Sequence, residues 1–219
     1  MSKYLIFGAT GSIGTSLSQQ LSESNKEIHL IGRNEDELKI LSAKVNCDYS
    51  VVDILSENLF EFIKEEFGNM DISGIAYCIG SIDLKPLKNT KKEDFKKCLD
   101  LNFFPVIEII KSLQESLKKN NGSIVLFSTV AVQKGFTNHA IIASAKGAIE
   151  GLTVSLAAEF APHIRVNCIA PTLTNSKMSQ NILKSKLMAE GIAKSHPMKR
   201  VGKPEDVASM AKFLLTDES

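Results

Sequence analysis

The residues with the clearest chemical content are the glycines of Gly8-Ala-Thr10-Gly11-Ser12-Ile13-Gly14. They stand between a short apolar run, Tyr4–Phe7, and a stretch that repeats Ile13, Leu17 and Leu21 at helical spacing. Glycines at a strand-to-helix junction permit a tight turn and let the backbone approach a pyrophosphate. The helix behind them offers free N–H groups and the positive end of its dipole to the anion. The loop therefore reads as a dinucleotide cradle, with a plain tight turn as the alternative. A second informative position closes the next apolar run, at Ile31-Gly32-Arg33-Asn34. A carboxylate there would hold the ribose 2′-hydroxyl of NAD. None stands there, and the planar fork of Arg33 can pair with a 2′-phosphate. This favours NADP over NAD as the cofactor; otherwise Arg33 is a surface charge beside a turn.

Other reactive residues form no pattern. Cys47, Cys78, Cys98 and Cys168 are scattered without a CxxC pair, and His29, His139, His163 and His196 lie too far apart for a local metal site. No metal and no disulfide framework is expected, and a reducing cytoplasm suits these thiols. His163 and His196 read as surface or loop residues, and Lys91-Lys92 and Lys118-Lys119 as solvated faces.

The elements that must position the glycine loop alternate along the chain. Strands are expected at Tyr4–Phe7, Glu27–Ile31, Tyr49–Val52, Gly74–Cys78, Ser123–Phe127 and Arg165–Ile169. Helices are expected at Ile13–Ser22, Glu35–Val45, Leu59–Phe67, Ala143–Phe160 and Pro204–Leu215, with one or two more within Lys91–Gln114. Alternation of this kind builds βαβ units, and strands that are nearly continuous apolar runs are covered by helices on both faces. The expected fold is α/β, a doubly wound parallel sheet of Rossmann type in three αβα layers, as a single domain over residues 1–219. The irregular stretch from Pro171 to about Ser185 is long enough to be a functional lid. The Ala143–Phe160 helix is apolar or small on most faces, which fits core packing or a subunit interface.

Composition agrees. The chain has 219 residues, 43% hydrophobic and 23% charged, with a net charge of +1. That supports one domain with a substantial core and excludes a disordered chain. It lacks the basic footprint of a general nucleic-acid binder. No apolar run approaches the ~20 residues of a membrane span, and Met1–Phe7 lacks the regions of a signal peptide. A cytoplasmic protein with a small-molecule substrate and no membrane partner is the expectation.

Beyond the glycine loop, several separated segments make the chain resemble the short-chain dehydrogenase/reductase family over nearly its whole length. Asp53-Ile54 is similar to the family's adenine-contacting Asp-aliphatic pair. Tyr77-Cys78-Ile79-Gly80 stands where the family usually has Asn-Asn-Ala-Gly. Asn102 matches the helix Asn of the catalytic tetrad, and Ser144-Ala-Lys146 the segment with the catalytic Lys. Arg165-Val-Asn-Cys-Ile-Ala-Pro171 resembles the strand before the nicotinamide loop, and Arg200-Val-Gly-Lys-Pro-Glu-Asp-Val-Ala a late signature. The family's middle glycine is Ser12 here, with Gly11 one position earlier. The resemblance implies that Gly8, Thr10, Gly11, Ser12, Ile13, Gly14, Arg33, Asp53, Ile54, Cys78, Ile79, Gly80, Lys146, Pro171 and Thr174 bind the cofactor, and that the protein is a homodimer or homotetramer. Family members usually continue past Leu214–Ser219 into a last strand, so the chain is expected to be truncated there or to close its sheet with one strand fewer.

The resemblance also exposes a gap. A family Tyr four residues before the Lys exchanges the proton, a Ser thirteen residues before that Tyr orients the substrate oxygen, and the Lys lowers the phenol pKa and binds ribose. A phenol of pKa ~10 needs such a cation to act near neutrality. Here the Ser position is Thr129 and the Tyr position is Ile142, which carries no proton. Three readings stand. The first is an oxidoreductase with a substitute donor, acting on a small or medium apolar carbonyl, alcohol or enoyl substrate. His139, seven residues before Lys146, has the spacing of the enoyl-reductase Tyr, and an imidazole supplies protons near neutrality; it also reads as a loop residue. Ser144 and Tyr77 are weaker candidates. The second is a catalytically inactive nucleotide-binding sensor or partner subunit that keeps Asn102 and Lys146. The third is a step that needs no donor from the protein. Thr129, Val130, Gln133, Phe136, His139, Ile142 and residues 173–183 are expected around the substrate.

Overall fold

The computed structural model describes residues 2–219; Met1, and the side chains at positions 181, 186 and 188, lie outside the described residues. Part of the substrate stretch expected over 173–183 therefore falls outside them.

Six strands, β1 (Lys3–Phe7), β2 (Ile28–Gly32), β3 (Asp48–Val51), β4 (Ile72–Tyr77), β5 (Ser123–Phe127) and β6 (Arg165–Ile169), form one sheet in the order β3-β2-β1-β4-β5-β6. Every pairing is parallel, with β1 flanked by β2 (Tyr4↔Ile28) and β4 (Phe7↔Tyr77). The chain winds outward to β3, then crosses back over β1 to lay down β4. That reversal opens a crevice at the carboxyl ends of β1 and β4.

The pleat of β1 explains the layers. Leu5 and Phe7 point to one core, with Phe67, Ile75, Leu113, Ile124 and Ile149. Tyr4 and Ile6 point to the other, with Leu17, Leu21, Leu30, Val125 and Leu215. Two apolar faces require helices on both sides. One side is covered by α1 (Ser12–Glu23), α2 (Glu35–Val45) and, at the end of the chain, a helix over Pro204–Leu215. The other is covered by α3 (Leu59–Phe67), then α4 (Lys92–Asn102) and α5 (Phe104–Lys119), then long α7 (Ala140–Phe160), against which short α6 (Ala131–Lys134) packs. After β6 come α8 (Gln180–Leu183), α9 (Lys186–Ser195) and α10, the Pro204–Leu215 helix.

The expected doubly wound sheet is therefore the observed one, with shifted boundaries. The Lys91–Gln114 stretch is two helices, broken at Phe103, where ψ is −59° but φ has swung to −126°. Pro105 lies in the first turn of α5 and lacks the N–H that would continue α4. α7 begins at Ala140, three residues early, and its 21 residues are long and apolar enough, by length and composition, to cross a membrane. That corrects the expectation that no segment reaches such a length. Here the helix packs on β6 and α4 and buries Lys146.

A dinucleotide cradle and a buried lysine

The glycine loop turns directly from β1 into α1. Gly8 has φ +78°, a conformation that disfavours a side chain, and a Cβ there would lie 2.8 Å from Ile79 Cγ1 and 3.1 Å from the Cys78 carbonyl carbon. A Cβ at Gly14 would collide with the Gly8 carbonyl oxygen. The Gly8 amide donates to Ile31 O at 2.8 Å and the Cys78 amide to Phe7 O at 2.8 Å, so the ends of β2, β1 and β4 fix the loop from both sides. Gly11 caps α1 without a side-chain acceptor, which leaves the first-turn N–H groups uncapped. Those bare donors, in a cradle that side chains would fill, fit a pyrophosphate. Thr10 and Ser12 sit on the same loop, and Ile13 packs into the core beneath it.

At the adenosine end, Arg33 follows β2 and is exposed, without an ion pair among the described residues. It lines a groove of about 680 Å³ with Ile54, Leu101, Phe104 and Lys97. Ile54 is buried, whereas exposed Asp53 turns back to accept from the Leu55 amide at 3.0 Å.

At the other end of the crevice, Gly80, Asn102 and Lys146 converge. A Cβ at Gly80 would be 3.1 Å from Asn102 Oδ1 and 3.5 Å from Lys146 Nζ. Asn102 ends α4 fully buried; its Nδ2 donates to Cys98 O at 2.9 Å and Ser81 Oγ at 3.2 Å, while Oδ1 is buried without a partner. Lys146 is 7% exposed, and burial pulls its pKa from 10.5 down to about 8. Cys78, Cys98 and Cys168 surround it, but burial pushes their thiols up, so no thiolate neutralises it. An orphaned amide oxygen beside an ammonium without a counter-ion among the described residues fits the hydroxyls of a nicotinamide ribose.

The proposed donors separate clearly. Tyr77 donates its hydroxyl to Leu101 O at 2.7 Å, and burial pushes its pKa up, so this phenol is not available. Ser144 is exposed and donates to Ala140 O at 2.8 Å. Ile142 is buried against Cys98, Ile141 and Ala145. Thr129 is half-buried and its hydroxyl accepts from the Ala131 amide at 3.3 Å. His139 immediately precedes α7, and its Nδ1 lies 2.8 Å from Thr137 O. A carbonyl only accepts, so Nδ1 carries hydrogen and Nε2 is left for chemistry.

In the loop after β6, the Pro171 carbonyl accepts from the Val130 amide at 3.2 Å. Thr174 is buried, donates to Thr172 O at 3.1 Å and bridges to Gly202, so it braces the loop. His196 meets Thr172 Oγ1 at 3.4 Å, as a loop residue would.

Two residues escaped the sequence reading. Glu37 stands in the first turn of α2, and Lys177 bonds its carboxylate from the loop after β6. Acidic residues in a first turn are ordinary dipole partners, and nothing in their spacing marks Glu37 out.

A glycine cradle and a buried cation at the carboxyl ends of a reversed parallel sheet define a Rossmann-type dinucleotide fold. A family model described as enoyl-(acyl carrier protein) reductase matches residues 8–219. The chain belongs to the short-chain dehydrogenase/reductase family. It is 29% identical to a tropinone reductase homolog of Arabidopsis thaliana, over 96% of this chain and 83% of that one. The solved structure of ElxO with NADP bound is 25% identical, with a TM-score of 0.88 over 100% of this chain and 92% of that one. An NADPH-bound short-chain oxidoreductase from Pseudomonas aeruginosa, described as containing an atypical catalytic center, shares the fold at a TM-score of 0.91 and 21% identity, over 100% and 91% of the two chains.

Proposed function

We propose that the protein is an NADP-dependent oxidoreductase that transfers hydride to or from a small or medium apolar carbonyl, alcohol or enoyl substrate, with His139 in the place of the family's Tyr. The observation that carries this reading is the buried, uncompensated Lys146 beside the unpaired oxygen of Asn102. A fold retains so costly a group where a ligand repays it. ElxO, a structural neighbour at 25% identity, has NADP bound, which supports the cofactor class.

The nicotinamide supplies or accepts the hydride when bound. Lys146 and Asn102 hold its ribose, and the uncapped start of α1 holds the pyrophosphate. Thr129 orients the substrate oxygen. In the reductive direction His139 Nε2 releases its proton to that oxygen and is reprotonated from solvent, while the Nδ1–H bond to Thr137 fixes the ring. Arg33 holds the 2′-phosphate. The protein acts in the cytoplasm as a homodimer or homotetramer, without nucleic-acid or membrane partners. A second reading, a nucleotide-binding sensor or partner subunit without turnover, is favoured by the burial of Ile142 where the family places its phenol.

Nucleotide binding followed by NADPH fluorescence, with turnover over a carbonyl and enoyl panel, separates the two. Tight NADPH binding is expected, weakened by Arg33→Asp, which shifts preference toward NADH. His139→Ala is expected to lower turnover about 100-fold at unchanged NADPH affinity, the size of a lost acid–base group, and Ile142→Tyr to raise it. Tight binding with no turnover in any form selects the sensor.

A further inference from the structure

The loop after β6 folds back over the phosphate cradle. The Lys177 amide donates to Ser12 Oγ at 3.1 Å, and Lys177 Nζ lies 2.9 Å from Glu37 Oε1. Glu37 is itself held in place, because Asn34 caps α2 by accepting its amide at 3.1 Å. Lys177 thus ties the phosphate loop, through Ser12, and the start of α2, through Glu37, to a loop 140 residues further on. The Glu37 carboxylate belongs to α2, four residues past Arg33, and it is Arg33 that follows the end of β2, where dinucleotide folds read the 2′ position of the adenosine ribose. The side chains of Lys177 and Glu37 are 66% and 42% exposed. An ion pair so open to water adds little to fold stability, so stability does not account for the arrangement.

We propose that Glu37 and Lys177 together set the choice between NADP and NAD, with Lys177 cancelling a carboxylate that would otherwise select NAD. An unpaired Glu37 accepts a hydrogen bond from a ribose 2′-hydroxyl and repels a 2′-phosphate, whose charge at neutral pH is about −1.5 to −2. Paired with Lys177, the carboxylate loses most of its field, and Arg33 takes the phosphate. Because Lys177 belongs to the loop after β6, that loop takes part in reading the 2′ position. The inference rests on the NADP reading above and adds two specificity residues to it.

The test is dissociation constants for NADPH and NADH, by nucleotide fluorescence, for wild type, Lys177→Gln, Glu37→Gln and the double variant, with circular dichroism as the check on folding. Lys177→Gln is expected to weaken NADPH about tenfold and leave NADH unchanged or tighter. Glu37→Gln is expected to weaken NADH and spare NADPH. The double variant is expected to return NADPH to within about threefold of wild type, because the repelling carboxylate is gone with its partner. Equal loss for both nucleotides in Lys177→Gln, or a double variant no better than Lys177→Gln, overturns the inference while the NADP reading stands. Wild type that binds neither nucleotide, or prefers NADH, overturns both.

Discussion

At Lys146 the chain keeps a charge where it supplies no counter-ion among the described residues. The pKa falls from 10.5 unfolded to about 8 folded, so between those values the folded state binds fewer protons. Stability therefore rises as pH climbs through that window, and below it the buried ammonium costs of order 3 kcal/mol. Lys146→Met is expected to stabilise the nucleotide-free protein at pH 7 by about that amount in urea unfolding, while NADPH binding is lost. A variant no more stable than wild type would mean that the ammonium is already compensated. Lys146 and Asn102 were legible in the sequence because each sits in a recognisable segment. The state of Tyr77 was not: no spacing reveals that its hydroxyl turns to the Leu101 carbonyl, 24 residues away.

Strands and most helices were legible because each covers one core face and its apolar spacing records that burial. The break at Phe103 was not resolved, since the apolar pattern runs on across it and Pro105 alone marks the turn. Contacts between elements left no local trace, as with Glu37 and Lys177. The β2–β3 pair holds another such contact. Ser50 Oγ donates to Glu66 Oε1 at 2.7 Å, so His29 Nε2, 2.8 Å away, must donate to Ser50. That leaves buried Nδ1 bare, and burial lowers the His29 pKa, opposed by nearby Asp48 and Glu66 and aided by Lys3. Below 6.5 the unfolded state takes up a proton that the folded state refuses, so this contribution to stability is complete above 6.5 and shrinks as pH falls toward the lowered value. Urea midpoints between pH 5 and 7 are expected to fall less steeply in His29→Gln than in wild type; parallel slopes would place the acid sensitivity elsewhere.

Over the whole molecule, two apolar cores fill the layers, yet large apolar side chains on two helices stay outside them. Val154 of α7 is 72% exposed, and Phe104 at the start of α5 is 48% exposed. The proposed homo-oligomer is expected to cover the exposed side of α7, so Val154→Glu is expected to shift the protein toward monomer by light scattering without loss of helicity. Wild type that is already monomeric would remove the assembly from the proposal. Sequence alone left α7 open between core and interface, because an apolar helix reads alike in either place. The packing of the glycine cradle also constrains descent. A side chain at Gly14 would meet the Gly8 carbonyl, which is main chain and cannot step aside, whereas at Gly151 and Gly191 it would meet nothing. Position 14 of the cradle is therefore closed to a side chain. Positions 151 and 191 stay open, so descent can place side chains on those helices while the turn at Gly14 keeps its glycine.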